Sequence, residues 1–281
     1  MLVRLRGGAP AATVPPMSGL EHYERSTFHH DAKTRDVYRR GVGPAVIVIA
    51  EMPGITPKVI EFADRVVELG CTSVLPHLFG VPGAPLNAVN AMRSLGPACI
   101  SNEFAVLAKG ETSPAVSWCR ALAADAHRRC GGPGVGVVGM CFTGNFALGM
   151  AADPSVIAPV LSQPSLPFAI TPSQQRDVHA SPRDLDAVVA RFDQDPDLCV
   201  LGLRFTHDRT CPPQRFESLR RLLGDRFVAV EIDSSPGNPH GNSRLAHSVL
   251  TEHLVDEPGH PTRDALDQVL DLFRRRLLTP E

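Results

Sequence analysis

A cysteine in the middle of this 281-residue sequence stands where the chain is expected to change direction. Residues 135–144 read VGVVGMCFTG, and this pattern predicts a buried strand that turns sharply into a helix at Cys141. A side chain on such a turn is held above the sheet, beside helix N-terminal N–H groups that can stabilise a thiolate or an oxyanion. Because a thiolate is an effective nucleophile near neutral pH, Cys141 is a candidate nucleophile for acyl chemistry.

The competing interpretation of this segment is a buried cysteine in the glycine-rich turn of a nucleotide-binding fold. Gly134, Gly136 and Gly139 have the spacing G-x-G-x-x-G of such folds. They lie before or within the predicted strand, however, whereas a phosphate-binding turn follows its strand. The sequence therefore favours the nucleophile.

An aspartate that could orient a base lies further along the chain. Asp208 follows a predicted strand at 199–205 and precedes Pro212, and the acid of α/β enzymes with a nucleophile turn comes after a late strand. The alternative is a loop aspartate that caps the helix predicted at 213–223. Its position in the order nucleophile, acid, base favours Asp208 as the acid.

Two histidines after the last predicted strand, 226–231, could serve as the base. His247 lies in the apolar segment AHSVL, and His240 lies in the polar turn GNPHG. His253 and His260 are predicted to be solvated. A general base must be held in one tautomer, which an ordered segment does better, so the sequence favours His247 and leaves His240 as the alternative base.

Alternating strands and helices are predicted to position these residues. Ala45–Ala50 is wholly apolar, as in a strand buried on both faces, and an amphipathic helix at Lys58–Leu69 leads to a second apolar strand at Cys71–Leu75. This alternation predicts an α/β fold whose doubly wound, mostly parallel sheet has helices on both faces. The pattern also predicts a polar hairpin at 26–40, strands at 134–138 and 156–161, and helices at 115–129, from Thr143, at 181–192 and at 263–277.

Residues 26–281 are predicted to form a single domain. The preceding residues, 1–25, are predicted to be a flexible leader, because glycines and prolines interrupt any apolar signal segment. The irregular segment 76–112 is predicted to cover the site as a lid, with a plain surface excursion as the alternative, and the segment 164–197 is predicted to be an insertion.

Composition excludes several classes of function. The net charge is −2 with dispersed basic residues, so no nucleic-acid partner is predicted, and no apolar run is long enough to span a bilayer. The seven cysteines include no CxxC pair, which argues against a disulfide framework and a zinc site. We expect a cytoplasmic protein that acts on a small molecule without a metal or organic cofactor.

With these residues assembled, the sequence resembles the dienelactone hydrolase family from about Gly43 to Leu277. The resemblance implies an α/β-hydrolase fold, a Cys141–His247–Asp208 triad and no cofactor. The matching segments are VIVIAEMPG at 46–54, LGCTSVLPHLF at 69–79, GMC at 139–141, the acid loop D-x-x-x-P at 208–212 and the H-S pair at 247–248.

The resemblance also implies roles for residues near the end of the first parallel strand. Glu51 would interact with the resting thiol and be displaced when substrate enters, and a carboxylate beside a cysteine would keep the thiol protonated because like charges repel. The other interpretation of Glu51 is a cap or a solvated loop residue. The oxyanion hole would consist of the backbone N–H groups of Met52 and Phe142.

Three departures from the family pattern bear on the substrate. The arginines that hold the carboxylate of dienelactone are replaced by Val81 and Thr251, and Thr143 takes the place of the second elbow glycine, where it would crowd the turn or add a hydroxyl near the site. We therefore expect hydrolysis, through a thioester, of a small ester or lactone other than dienelactone. The alternatives are a non-catalytic ligand binder, a redox sensor with Cys141 and Cys211 as partners, and acyl transfer by the same residues.

Overall fold

One sheet organises residues 19–87, 90 and 112–278, which the computed structural model describes. The strands of this part of the chain are β1 (Glu24–His30), β2 (Lys33–Arg40), β3 (Ala45–Ile49), β4 (Thr72–Pro76), β5 (Val135–Met140), β6 (Val156–Ser162), β7 (Val200–Phe205) and β8 (Phe227–Ile232). Their order in the sheet is β1-β2-β4-β3-β5-β6-β7-β8. The six strands β3 to β8 are parallel to one another. Strands β1 and β2 form an antiparallel pair at one edge, and β2 is antiparallel to β4.

Helices connect the parallel strands. In the described ranges they are α1 (Pro57–Glu68), α2 (Pro114–Cys130), α3 (Phe146–Met150), α4 (Pro172–Arg176), α5 (Pro182–Gln194), α6 (Pro213–Leu223) and α7 (Pro261–Phe273), which continues as a π-helical turn at Arg274–Leu278. Several begin with proline after a Ser or Thr cap; Thr56, for example, accepts a hydrogen bond from the N–H of Val59. Nowhere in this part of the chain does a helix combine the length and apolarity needed to cross a bilayer.

Both faces of the sheet are buried, as the apolar strands predict. Along β3, Ala45, Ile47 and Ile49 pack in one apolar cluster, and Val46 and Val48 pack in a second cluster on the opposite face. The first cluster includes side chains of α2 and α6, and the second includes side chains of α1 and α7. Parallel sheets need this cover on both sides. The predicted doubly wound α/β fold is confirmed.

The bounds of two helices differ from those predicted. A helix starting near Thr143 is not formed there: Cys141–Thr143 is a single 3₁₀ turn, and the short helix α3 begins only at Phe146. The Thr143 hydroxyl bonds to backbone groups below the turn, which holds the chain in this tighter conformation. The closing helix begins two residues before the predicted 263, where Pro261 is favourable at the first helical position.

Three further predictions concern the leader, the lid and the insertion, and the described residues cover the first two only in part. Of the leader 1–25, residues 1–18 lie outside them, but Leu20 is buried in the core and β1 begins at Glu24, so the folded chain extends beyond the predicted boundary. Most of the predicted lid 76–112 lies outside the described residues. The segment 164–197 contains α4 and α5 and connects β6 to β7.

Candidate active site

The chain turns at Cys141, directly after β5, with a backbone φ of 53°. A side chain at positive φ is strained, and such residues are found where function requires an unusual orientation. The turn needs glycine on both sides: a Cβ at Gly139 would lie 2.3 Å from the backbone oxygen of Thr143, and a Cβ at Gly144 would lie 2.5 Å from Cα of Pro164. The glycine pattern therefore presents the Cys141 thiol above the carboxyl end of the sheet.

Thr143 connects the ends of two strands beneath this turn. Its buried hydroxyl accepts the N–H of Met140 at 3.1 Å and lies 3.0 Å from the carbonyl oxygen of Ile49 and 3.2 Å from that of Ala50. The side chain thus bonds to the backbone of β3 and β5 rather than facing substrate. It stabilises the relative placement of the Glu51 and Cys141 segments.

A chain of contacts joins Cys141, His247 and Asp208. His247 and Cys141 line the same cavity, close enough for the Cys141 side chain to act electrostatically on the imidazole, and Nδ1 of His247 lies 2.6 Å from Oδ2 of Asp208. The other carboxylate oxygen of Asp208 accepts hydrogen bonds from the N–H and hydroxyl of Thr210, both at 2.8 Å. The tertiary fold therefore brings together the three residues that the chain order suggested, and it holds the acid rigidly.

The pKa shifts of His247 and Asp208 favour an ion pair between these two residues. Burial raises the pKa of Asp208, but hydrogen bonds from His247 and Thr210 outweigh it, and the net pKa is below the usual value. Burial lowers the pKa of His247, but Cys141 and Asp208 together raise it well above the usual value. With this raised pKa, the imidazole of His247 keeps its proton at pH values where a free imidazole is neutral.

His240, the alternative base, lies elsewhere. Its side chain is exposed, and its ring packs edge to face against His260 at a centroid distance of 5.6 Å. It is not among the residues that line the cavity at Cys141. Of the two candidate bases, only His247 lines the cavity at Cys141, and its role as the base stays a prediction.

Glu51 is buried, with 3% of its surface exposed, so it is neither a cap nor a solvated loop residue. Its Oε2 accepts hydrogen bonds from the Ser248 hydroxyl at 2.6 Å and the Gln163 amide at 3.2 Å, and its Oε1 accepts one from the Thr251 hydroxyl. Across the described residues, none of its hydrogen bonds goes to Cys141. The expected contact with the resting thiol is thus replaced, because three donors satisfy the buried carboxylate.

His253, which the sequence placed in solvent, holds the backbone of His247. Its Nδ1 accepts the N–H groups of His247 at 3.4 Å and Ser248 at 3.2 Å, and its half-buried ring packs against Phe205. Burial and the neighbouring His247 lower the pKa of His253, so the ring stays neutral and keeps its lone pair for these bonds. The segment at 247–253 is consequently a closed turn that fixes the imidazole of His247.

Arg215 is a buried cation that the sequence analysis did not single out. It lies on the apolar face of α6, four residues before Leu219, and a charge at that spacing is the signal that could have identified it. The guanidinium donates to backbone carbonyls of the segment 164–177 and of the acid loop. These are the carbonyls of Pro164, Pro167, Gln174, Asp177 and Thr210.

Replacing Arg215 with methionine is expected to lower the free energy of unfolding by about 3 kcal/mol, since it leaves several buried carbonyls without a donor. Exposed Arg221 on the same helix is the matched control, and Arg221→Met should change stability by less than about 0.5 kcal/mol. Urea unfolding followed by circular dichroism measures both variants. Equal effects of the two substitutions would show that the carbonyl bonds of Arg215 are not what stabilises this segment.

A cavity of about 360 Å³ opens above Cys141. Its wall is mainly apolar, and Met52 and Phe142, the predicted oxyanion donors, both line it. The ring of Phe142 packs against Phe79 and Phe168 at centroid distances of 5.8 and 6.4 Å. The residues that the structure describes include no group of three or more His, Cys, Asp or Glu side chains arranged to hold a metal ion. The site can therefore admit a small apolar group next to a thiol and an imidazole.

A mostly parallel sheet with a cysteine at a positive-φ turn after β5, an aspartate after β7 and a histidine after β8 defines the α/β-hydrolase class. The family model described as "Dienelactone hydrolase family" matches residues 37–277, and the chain belongs to this family. The resemblance inferred from the sequence is thereby confirmed.

Solved structures with this fold share little sequence with the chain. A putative dienelactone hydrolase from Klebsiella pneumoniae has 17% identity and a TM-score of 0.58, with 90% of this chain and 98% of that chain covered. A dienelactone hydrolase-like promiscuous phosphotriesterase from metagenomic libraries has 15% identity and a TM-score of 0.55, with 91% and 98% covered. A cold-adapted esterase from an Arctic intertidal metagenomic library has 13% identity and a TM-score of 0.53, with 91% and 93% covered. No curated protein sequence matches the chain.

Proposed function

We propose that this protein hydrolyses small carboxylic esters or lactones through a thioester on Cys141. The observation that carries the proposal is that His247, whose Nδ1 bonds to the Asp208 carboxylate, lines the same mainly apolar cavity as the Cys141 thiol. Dienelactone itself is not the proposed substrate. Val81 is exposed and uncharged, and Thr251 is bonded to Glu51, so neither position offers a cation for that carboxylate.

The proposed reaction has two steps. The thiolate of Cys141 attacks the ester carbonyl, and the N–H groups of Met52 and Phe142 stabilise the oxyanion. Protonated His247 then donates its proton to the leaving alkoxide, which leaves a thioester on Cys141 and a neutral imidazole. The imidazole removes a proton from water as the water attacks the thioester; the thiolate leaves, and the acid product departs.

Glu51 is assigned a supporting part in this reaction. The family resemblance implies a contact with the resting thiol, but the hydrogen bonds of the Glu51 carboxylate go to Ser248, Gln163 and Thr251. Bonded to Ser248, which directly follows His247, it instead joins the end of β3 to the histidine turn. We therefore infer that Glu51 positions His247 relative to the oxyanion donors.

The proposal is tested by a turnover assay combined with trapping of the intermediate. We expect hydrolysis of p-nitrophenyl acetate or of a small lactone, and mass spectrometry of protein quenched during turnover of a slow ester should locate the acyl group on Cys141. Modification with iodoacetamide should abolish both signals. Absence of turnover across an ester and lactone panel would refute the proposal, as would an acyl group on another residue.

The alternatives have less support from the geometry. The suggested resolving thiol for a redox sensor, Cys211, is fully buried, and burial raises the pKa of Cys211 far above its ordinary value. Acyl transfer would use the same residues and is distinguished by adding an amine or alcohol acceptor to the assay. The six described cysteines are free thiols, which fits the proposed cytoplasmic setting.

A further inference from the structure

A second, polar cavity adjoins the apolar one at Cys141. Its volume is about 440 Å³, and His207, Asp208, Arg209 and Arg244 line both cavities. Other polar side chains at its wall are those of Gln175, Thr206 and Gln214. We call this second cavity the annex. The two cavities thus share part of their wall; the first is lined mainly by apolar surface and the annex mainly by polar surface.

The annex carries unneutralised positive charge. Arg209 and Arg244 are exposed, and neither forms a hydrogen bond or an ion pair with any of the described residues. Asp208, the carboxylate shared by both cavities, is bonded to His247 and Thr210 and lies mostly buried. Two guanidinium groups lie beside one carboxylate, that of Asp208, which is already hydrogen-bonded to other residues. This excess of positive charge favours an anionic ligand.

The annex lies beside the loops that carry the proposed acid and base, which relates it to the alcohol side of the ester bond that is cleaved. Arg209 directly follows Asp208, and Arg244 precedes His247 by three residues, so both arginines lie on the loops that carry the acid and the base. In the proposed reaction the leaving oxygen must be within reach of His247, which protonates it. The alcohol part of the substrate therefore extends toward the annex, and the acyl part occupies the apolar cavity beside Met52 and Phe142.

We propose that the annex binds an anionic group, a carboxylate or a phosphate, on the alcohol part of the substrate, with Arg209 and Arg244 as its ligands. This inference rests on the proposed function and specifies its substrate: an ester with a small uncharged acyl group and a negatively charged leaving alcohol. Val81 and Thr251, which stand at the family's carboxylate-binding positions, are not among the residues that line either cavity.

The test compares three acetate esters: 4-acetoxybenzoate, 4-acetoxyphenyl phosphate and the neutral methyl 4-acetoxybenzoate. Wild-type protein is expected to hydrolyse at least one anionic ester with a kcat/KM about tenfold above that of the neutral ester, mainly through a lower KM. The preferred anion identifies the group as carboxylate or phosphate. The preference should decline as salt is added, because the arginines are exposed.

Variant proteins assign the effect to the annex. In Arg209→Gln/Arg244→Gln the preference should vanish, so that the ratio of kcat/KM for the anionic ester to kcat/KM for the neutral ester falls to about one. Arg183→Gln, at an exposed arginine on α5 outside both cavities, should keep the preference. A wild type without preference, or a double variant that retains it, overturns the annex proposal. If wild type hydrolyses none of the three esters or the p-nitrophenyl acetate standard, the proposed function fails instead.

Discussion

Cys141→Ala is expected to lower kcat/KM for ester hydrolysis by about 10³- to 10⁴-fold, because it removes the proposed nucleophile and the thioester route with it. Cys141→Ser should lose nearly as much, since a serine hydroxyl is far less ionised than the thiol at neutral pH. The residual activity would come from substrate binding and from stabilisation of the oxyanion by the backbone donors. Initial rates with p-nitrophenyl acetate over a range of concentrations measure the loss.

The matched control for this prediction is Cys130→Ala, at a half-buried free cysteine that ends α2 and does not line the cavity. Its activity should equal that of wild type. Thermal unfolding of all three proteins separates a chemical effect from a folding effect. Cys141 also adopts a positive φ, and serine or alanine at this position would carry the same backbone strain, so neither substitution is expected to stabilise the turn. A Cys141→Ala protein that is folded and fully active would exclude the thioester mechanism.

His247→Gln is expected to reduce kcat/KM by about 10³-fold, because no group would remain to protonate the leaving alkoxide or to activate water. His240→Gln provides the comparison, since His240 is exposed and packs against His260 away from the cavity. That variant should keep wild-type activity. A reversal of the two results would assign the base to His240.

The pH dependence provides an independent check on the same pair. Asp208 contributes to raising the pKa of His247, so Asp208→Asn should lower that pKa and move the alkaline limb of the kcat/KM profile to lower pH. The raised pKa of His247 also makes the folding stability depend on pH. The folded-state pKa of His247 is raised, so its contribution is complete below the ordinary value of about 6.5 and is lost as the pH rises through the raised value. The stability gap between wild type and Asp208→Asn should therefore narrow at alkaline pH, as measured by urea unfolding at several pH values.

Much of the fold follows from local sequence because its signals are local. Val46–Ile49 and Val135–Val138 are apolar runs too short for helices and too continuous for an exposed strand, so both indicate strands buried on two faces. The prediction of a helix from Thr143 was wrong for a reason that local pattern does not contain. Besides its local bonds to Met140, the Thr143 hydroxyl bonds to the carbonyl oxygen of Ile49 in β3, which is some ninety residues away in sequence.

The candidate site residues could also be placed from the sequence, since their order along the chain follows the order of strands in this class. Cys141 comes after β5, Asp208 after β7 and His247 after β8, and parallel strands place their carboxyl ends at one edge of the sheet. The choice between His247 and His240 rested on local order. The structure supports it with a distance of 2.6 Å from His247 Nδ1 to Asp208.

By itself, the sequence determined which elements form, where the thiol turn lies and which family the chain belongs to, because strand burial, glycine spacing and short motifs are encoded by neighbouring residues. Only the tertiary structure decided what surrounds the thiol. Glu51 meets Ser248 and Thr251 from about two hundred residues away, Arg215 joins two loops, and Arg209 comes to line the annex together with Arg244. Such contacts depend on which loops from different strands come together in the fold. A buried carboxylate or guanidinium forms hydrogen bonds with the groups of those loops, and their identity is not encoded by its sequence neighbours. Cys141 thus has its position from sequence and its chemical surroundings from the fold.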